Sequence, residues 1–183
     1  MPSPQRKTAR LRWGRITAAG ADYFATLCTQ GRVPALTQNT TAIRLLDVLR
    51  QMHREGDIRL LATTIMPDHV HLLFTLGERL TYGRAIAKFK TLGRDQGHAN
   101  WRWQEDGFEH QLRSHENPED YGFYLYMNPY RAGLIAIHER WQWWWCPEPS
   151  MFLFLQGLNA DGSPPAAWLG ESERVAARIV SGG

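Results

Sequence analysis

Cysteine is scarce in this chain. Cys28 and Cys146 are alone among 183 residues and stand far apart, which excludes a disulfide framework and a zinc ribbon. No apolar run reaches the ~18 residues of a membrane span, and the basic N-terminus leads into no apolar signal core. Neither a membrane association nor secretion is expected, and a reducing cytoplasm is the default location. There is no internal repeat and no glycine-rich phosphate loop. Acidic residues are missing from the first fifteen positions, where Arg6, Lys7, Arg10, Arg12 and Arg15 cluster although the net charge is only +3. Such a run reads either as an arm that contacts a phosphate backbone or as a solvated terminus. The length suits one compact domain with decorations.

Within that frame, residues 66–74 (MPDHVHLLF) place two histidines on either side of one apolar residue, in a run that reads as a buried strand. Side chains alternate along a strand, so His69 and His71 share one face while Val70 and Leu72 enter the core. Two parallel imidazoles are half of a divalent metal site, and they ask for a third ligand.

A second segment supplies a candidate. Asn117 is a good N-cap, Pro118 suits the first helical position, and Glu119 and Asp120 place negative charge at the positive end of the helix dipole. The helix that starts there should end or kink near Pro129, which lacks an N–H. Tyr124 and Asn128, four apart, then present a hydroxyl and an amide on one helix face. Tyr121 lies one turn earlier on a similar face and is the natural decoy, and Tyr126 points away. Aromatic clusters more often pack cores, so it is register that singles out Tyr124.

These pieces resemble the single-tyrosine HUH transposases, and within them the REP-associated tyrosine transposases. The resemblance is carried by the stretch from Pro67 through His69 and His71 to Leu73, by Trp103, Gln104, Phe108, His110 and Arg113, and by Tyr124, Asn128, Pro129, Arg131 and Gly133. It runs from about residue 10 to about residue 150. Three positions depart from it: Leu125 where Ile is usual, Tyr130 where Val is usual, and Asn128 where many insertion-sequence relatives carry Gln. The resemblance implies that His69, His71 and Asn128 hold Mg2+ or Mn2+. It also implies that Tyr124 attacks a phosphate of single-stranded DNA through a 5′-phosphotyrosine intermediate, at REP-like hairpins. Relatives act as dimers that exchange the tyrosine helix or as monomers, so monomer and homodimer both stay open.

The residues support that chemistry on their own terms. A phenol with an ordinary pKa near ~10 attacks poorly at neutral pH unless a cation lowers the barrier. Two imidazoles and an amide oxygen suit Mg2+ or Mn2+ beside a phosphate. Two other readings remain: a non-catalytic module that binds nucleic-acid hairpins, and a metal-dependent phosphodiesterase that activates water. Candidate DNA contacts are Arg12 and Arg15 in the basic arm, Lys88 and Lys90 on a probable helix, and His110 and Arg113 near a fourth strand.

Strands are expected at 21–28, 58–65 and 69–76, with a fourth inside 101–112. Helices are expected at 41–55, with the stripe Ile43, Leu46, Leu49 and Met52, and at 81–96, with Tyr82, Ile86 and Phe89 inward. This order predicts an α+β, ferredoxin-like antiparallel four-stranded sheet with helices on one face, plus a C-terminal tyrosine helix and tail. The chain divides into a basic arm (1–19), a transposase-like domain (20–150), and a linker and tail (151–183) containing a short helix at 172–180. Trp141, Trp143, Trp144 and Trp145 read as a buried clasp for that tail in preference to a base-stacking surface.

Overall fold

A computed structural model of the chain describes residues 18–94 and 100–181. Arg12, Arg15 and the rest of the basic arm lie outside the described residues. The elements are β1 (Asp22–Cys28), α1 (Asn39–Arg54), β2 (Ile58–Ile65), β3 (His69–Leu76), α2 (Tyr82–Gly93), β4 (Phe108–Gln111), α3 (Pro118–Arg131), β5 (Trp144–Trp145) and α4 (Trp168–Ser181). All pairings are antiparallel, in the order β4-β1-β3-β2-β5. The first four strands follow the expected ferredoxin-like order. The fifth was not expected: Trp144 and Trp145 pair with Thr64 and Thr63 and extend the β2 edge.

Alternation along β3 divides the molecule into two cores. Val70, Leu72 and Phe74 join Tyr23, Ala25 and Leu27 under α1 and α2. Leu73 and Phe24 face the other way, toward α3 and α4. A bulge in β2 between Leu60 and Ala62 shifts its phase, so Leu60 belongs to the first core and Leu61 and Ala62 to the second. On α1 the buried stripe is Ala42, Leu45, Leu49 and Met52 with Leu46 and Val48, and Ile43 is half exposed. The expected stripe was rotated: spacings of three and four from Ala42 leave Ile43 about 100° off the core face. On α2, Ala85 and Phe89 are buried, while Tyr82 and Ile86 are half-buried at its margin.

Of the four tryptophans Trp143 is buried and Trp141, Trp144 and Trp145 are half-buried, so the expected clasp is only partly enclosed. Trp143 and Trp145 pack toward α1, Trp144 packs toward α3, and Trp141 donates its indole N–H to the Ile65 carbonyl over 3.2 Å. Beyond them, Glu119 accepts from the backbone N–H groups of Leu153 and Phe154, and Phe152 inserts against Gly122 of α3. The 159–165 segment is tied down as well, because Tyr126 donates its hydroxyl to the Gly162 carbonyl over 2.8 Å. Next, α4 covers α3, with Arg178 paired to Asp120 and Arg131 to Glu173.

A Cβ at Gly122 would lie 2.3 Å from the Phe152 ring. Gly122→Ala is therefore expected to lower the thermal midpoint, with a loss of about 1–3 kcal/mol from overpacking. Gly83→Ala, at an exposed helical site with open space around it, should raise the midpoint slightly. An unchanged midpoint for Gly122→Ala would show that the Phe152 anchor yields freely.

Candidate active site

Three elements converge above the middle of the sheet. β3 carries His69 and His71. β1 places Cys28 opposite His69 and Thr26 opposite His71. α3 brings Tyr124 and Asn128 down onto that face.

The seating of α3 depends on a proline. The sequence puts an end or a kink near Pro129, and α3 runs two residues past it to Arg131. Pro129 has no N–H to give the carbonyl of Leu125 one turn back. Thr64 of β2 donates its hydroxyl to that carbonyl instead, over 2.8 Å. The bond that a proline normally costs a helix is thus replaced by one from the sheet, and continuation to Arg131 becomes affordable.

Asp68 can only accept, so His69 presents a protonated Nδ1 to it over 2.6 Å and keeps its Nε2 lone pair free. His71 is buried, with Nδ1 2.8 Å from the Thr26 hydroxyl and Nε2 2.5 Å from the Asn128 amide nitrogen. Burial holds both imidazoles below their ordinary pKa, His71 far below, reinforced there by the neighbouring His69, Arg131 and Arg32; for His69, Asp68 partly opposes the effect. Both rings are therefore neutral near pH 7.

The two Nε2 atoms lie 3.0 Å apart. With His71 protonated at Nε2 the two rings share a hydrogen bond, and with both Nε2 atoms unprotonated their lone pairs can face one cation. Ligands at right angles around an ion at ~2.1 Å would be ~3.0 Å apart, so the spacing fits one octahedral ion such as Mg2+. Among the described residues no group of three His, Cys, Asp or Glu side chains could hold a metal. The nearest further candidate donor beside the two rings is the Asn128 amide, whose oxygen and nitrogen exchange places by a half-turn of the side chain. Hydrogen bonds of the far ring nitrogens, His69 Nδ1–H to Asp68 and His71 Nδ1 with the Thr26 hydroxyl, orient both imidazoles, as metal ligands require. The residues fit the cation.

Tyr124 stands beside His71, edge to face at 5.6 Å between ring centres, and its hydroxyl has no hydrogen-bond partner among the described residues. Both tyrosine and histidines line one open cavity of about 620 Å³, with Arg32, Gln104 and Phe108 on its walls. Tyr121 is quite different. It donates to Glu116 over 2.8 Å, and burial together with that carboxylate raises its pKa. A phenol whose proton is committed to a carboxylate is a poor nucleophile, so Tyr124 is the better candidate of the two.

The remaining predicted residues are not brought to the cavity wall. His110 lies 2.8 Å from Glu116 and stacks on Tyr121, and Arg113 gives Glu116 its backbone N–H over 2.6 Å while its side chain is exposed. Lys88 is engaged by Glu55 at 2.6 Å and Asp57 at 2.5 Å, so its charge is neutralised on the α1 side. Lys90 donates to the carbonyls of Gln104 and Glu105. Even spacing of basic residues along α2 concealed that both lysines have partners from other elements.

Two arginines stand at the site that the sequence reading gave no role, although Arg131 belongs to the matched motif. Arg131, seven residues after Tyr124 and so two turns along the same face, holds its guanidinium 5.2 Å above the Tyr124 ring. Its Nη1 is buried with no partner among the described residues. Arg32 adopts a left-handed φ of 56° at the cavity rim, with Nη1 3.3 Å from Asp68. Position relative to Tyr124 could have revealed Arg131; nothing local marked Arg32.

The family profile described as "Transposase IS200 like" matches residues 18–104. A Haemophilus influenzae protein assigned to the REP-associated tyrosine transposases is 27% identical over 138 residues, which is 67% of this chain and 77% of that relative. Among solved structures, a REP-associated tyrosine transposase bound to a REP hairpin aligns with a TM-score of 0.56 and 23% identity, over 68% of this chain and 75% of that one. A transposase-like protein of Deinococcus radiodurans is more distant, with a TM-score of 0.43, 20% identity, and coverage of 57% and 88%.

Glu116 gathers three donors. Burial alone would raise its pKa, but the Arg113 N–H, His110 and Tyr121 hold it down at about 2. A depressed carboxylate stabilises the fold above its unfolded pKa of ~4.3, and that contribution fades as pH falls toward 2. Glu116→Gln should therefore be less stable than wild type in urea at pH 7, with the gap closing below about pH 4. A gap that stays constant down to pH 2 would contradict this role.

Proposed function

We propose that this chain, whose residues 18–104 match the IS200-like transposase profile, cleaves and rejoins single-stranded DNA at hairpin-bearing sites, with Tyr124 as the nucleophile. The observation that carries the reading is the meeting of Tyr124, His71, His69 and Asn128 in one open cavity. The chain's similarity to a REP-associated relative supports the choice of hairpins as substrate.

His69, His71 and the Asn128 amide oxygen would hold Mg2+ or Mn2+, which when bound polarises a phosphoryl oxygen and offsets charge in the transition state. Tyr124 attacks phosphorus. Its phenol proton leaves, a phosphorus–oxygen bond to tyrosine forms, and the bond to the departing strand breaks, releasing a 3′ hydroxyl. The DNA 5′ phosphate stays on Tyr124, so bond energy is kept for rejoining. Attack by an incoming hydroxyl reverses the step.

Arg131 serves this chemistry from above the ring. Its guanidinium, 5.2 Å from the ring centre, puts a positive charge close to where the transferring phosphoryl group would develop negative charge. Open walls matter too, because an unpaired strand can lie across the cavity where a rigid duplex is hindered.

The test is a denaturing gel of labelled single-stranded hairpin DNA incubated with Mg2+ or Mn2+. Wild type should give a slow covalent band that disappears with chelator and with Tyr124→Phe but persists with Tyr121→Phe. Asn128→Ala should lower the rate by about 10–100-fold through weaker metal affinity. Cleavage without a covalent band would point to a phosphodiesterase that activates water, and a band that survives Tyr124→Phe would overturn the assignment.

A further inference from the structure

The segment from Gln104 to Phe108 is held more firmly than an ordinary surface connection. Gln104 donates its backbone N–H to the Cys28 carbonyl over 2.8 Å. Lys90 reaches across from α2 to the carbonyls of Gln104 and Glu105, at 2.8 and 3.3 Å, and the Trp103 indole N–H fixes the Lys90 carbonyl at 3.0 Å. Gly107 then passes so close to β1 that a Cβ would lie 2.9 Å from the Thr26 carbonyl oxygen.

All of this delivers one side chain. Phe108 begins β4, opposite Thr26, and is 46% exposed. A lone exposed apolar residue would need no explanation. Phe108, however, forms part of the wall of the cavity that holds Tyr124 and the histidines. Phe24 stands between the two rings, edge-on at 5.9 Å from Phe108 and 5.8 Å from Tyr124, so a single ring separates the exposed aromatic from the nucleophile. Gln104 lines the same wall and offers an amide beside it.

We propose that Phe108 is a stacking platform for an unpaired nucleobase next to the scissile phosphate, with Lys90 as the positioning residue that sets the wall. The proposal rests on the reading of the cavity as a site for single-stranded DNA. An aromatic face accepts any base, so this subsite supplies affinity and alignment more than sequence choice, and the Gln104 amide is placed to read a base edge. Holding one flanking base fixes the phosphate against Tyr124. Such alignment is what an attack by a weak nucleophile requires.

The experiment uses the full chain carrying Tyr124→Phe and single-stranded oligonucleotides with 2-aminopurine placed in turn at each position around the cleavage site. One position should be strongly quenched on binding. That quenching should vanish with Phe108→Ala, survive with Phe108→Trp, and weaken with Lys90→Met. In the chain with Tyr124 intact, Phe108→Ala should lower kcat/KM by about 5–150-fold on the normal strand. An abasic residue at the quenched position should cost wild type a similar factor and cost Phe108→Ala nothing further.

Absence of any Phe108-dependent quenching, or a Phe108→Ala loss that remains undiminished on the abasic strand, would overturn the platform. The two readings fail separately. Phe108-dependent quenching in a protein that never forms covalent product keeps the platform and rejects strand transfer. A covalent product without such quenching does the reverse.

Discussion

The carbonyl of Leu125 is the pivot of this molecule. Pro129 deprives it of its helical donor, and Thr64 of β2 supplies one. A hydrogen bond of this kind contributes only about 1 kcal/mol net, but a buried carbonyl left alone costs about 1–3 kcal/mol. Its larger effect is on register. With Leu125 fixed above Thr64, which pairs with His71 across the sheet, Tyr124 and Asn128 must face the histidines. Rotating α3 by one residue, about 100°, would carry both away from the site.

Polar groups on this face fall into two systems with opposite character. Glu116, His110, Tyr121 and the Arg113 N–H form a closed set in which each group has a partner. His69, His71, Asn128, Tyr124 and Arg131 form an open one: two imidazole Nε2 atoms face each other at 3.0 Å, and among the described residues a phenol hydroxyl lacks a partner and a guanidinium nitrogen is buried without one. Closed networks build structure, and open ones are where a ligand completes the bonding. Phe24 touches both, stacked on His71 and tilted against Tyr121, so the rigid set braces the reactive one.

What the sequence disclosed and what it hid follow from interaction range. The bounds of β2 and β3 are legible because alternation and the turn at Pro67–Asp68 are local signals. The shared face of His69 and His71, and that of Tyr124 and Asn128, follow from periods of two and of nearly four. Ile43 was misplaced because a weak three-four pattern fits more than one rotation of α1. The run of α3 through Pro129 was illegible, since its compensation comes from Thr64, over sixty positions earlier. β5 was equally hidden, being defined by what Trp144 and Trp145 pair with. Lys88 and Lys90 looked like a basic face because their partners, Asp57 and the carbonyls of 104 and 105, lie on other elements.

Charge at the site is consequently more selective than composition suggests. With Lys88 and Lys90 engaged elsewhere, Arg32 at the rim and Arg131 over Tyr124 are, among the described residues, the cations that act on His71. Each is partly tethered by a carboxylate, Arg32 by Asp68 and Arg131 by Glu173. Tethering lowers the cost of holding a long side chain in place, and it leaves donors over, since guanidinium has five N–H groups and a single carboxylate contact uses one or two. Both arginines also push His71 toward its neutral form, which is the form a cation needs. The same two groups that could meet phosphate thus help keep His71 neutral, so under the proposed function anion recognition and cation binding would be coupled through one short stretch of β3.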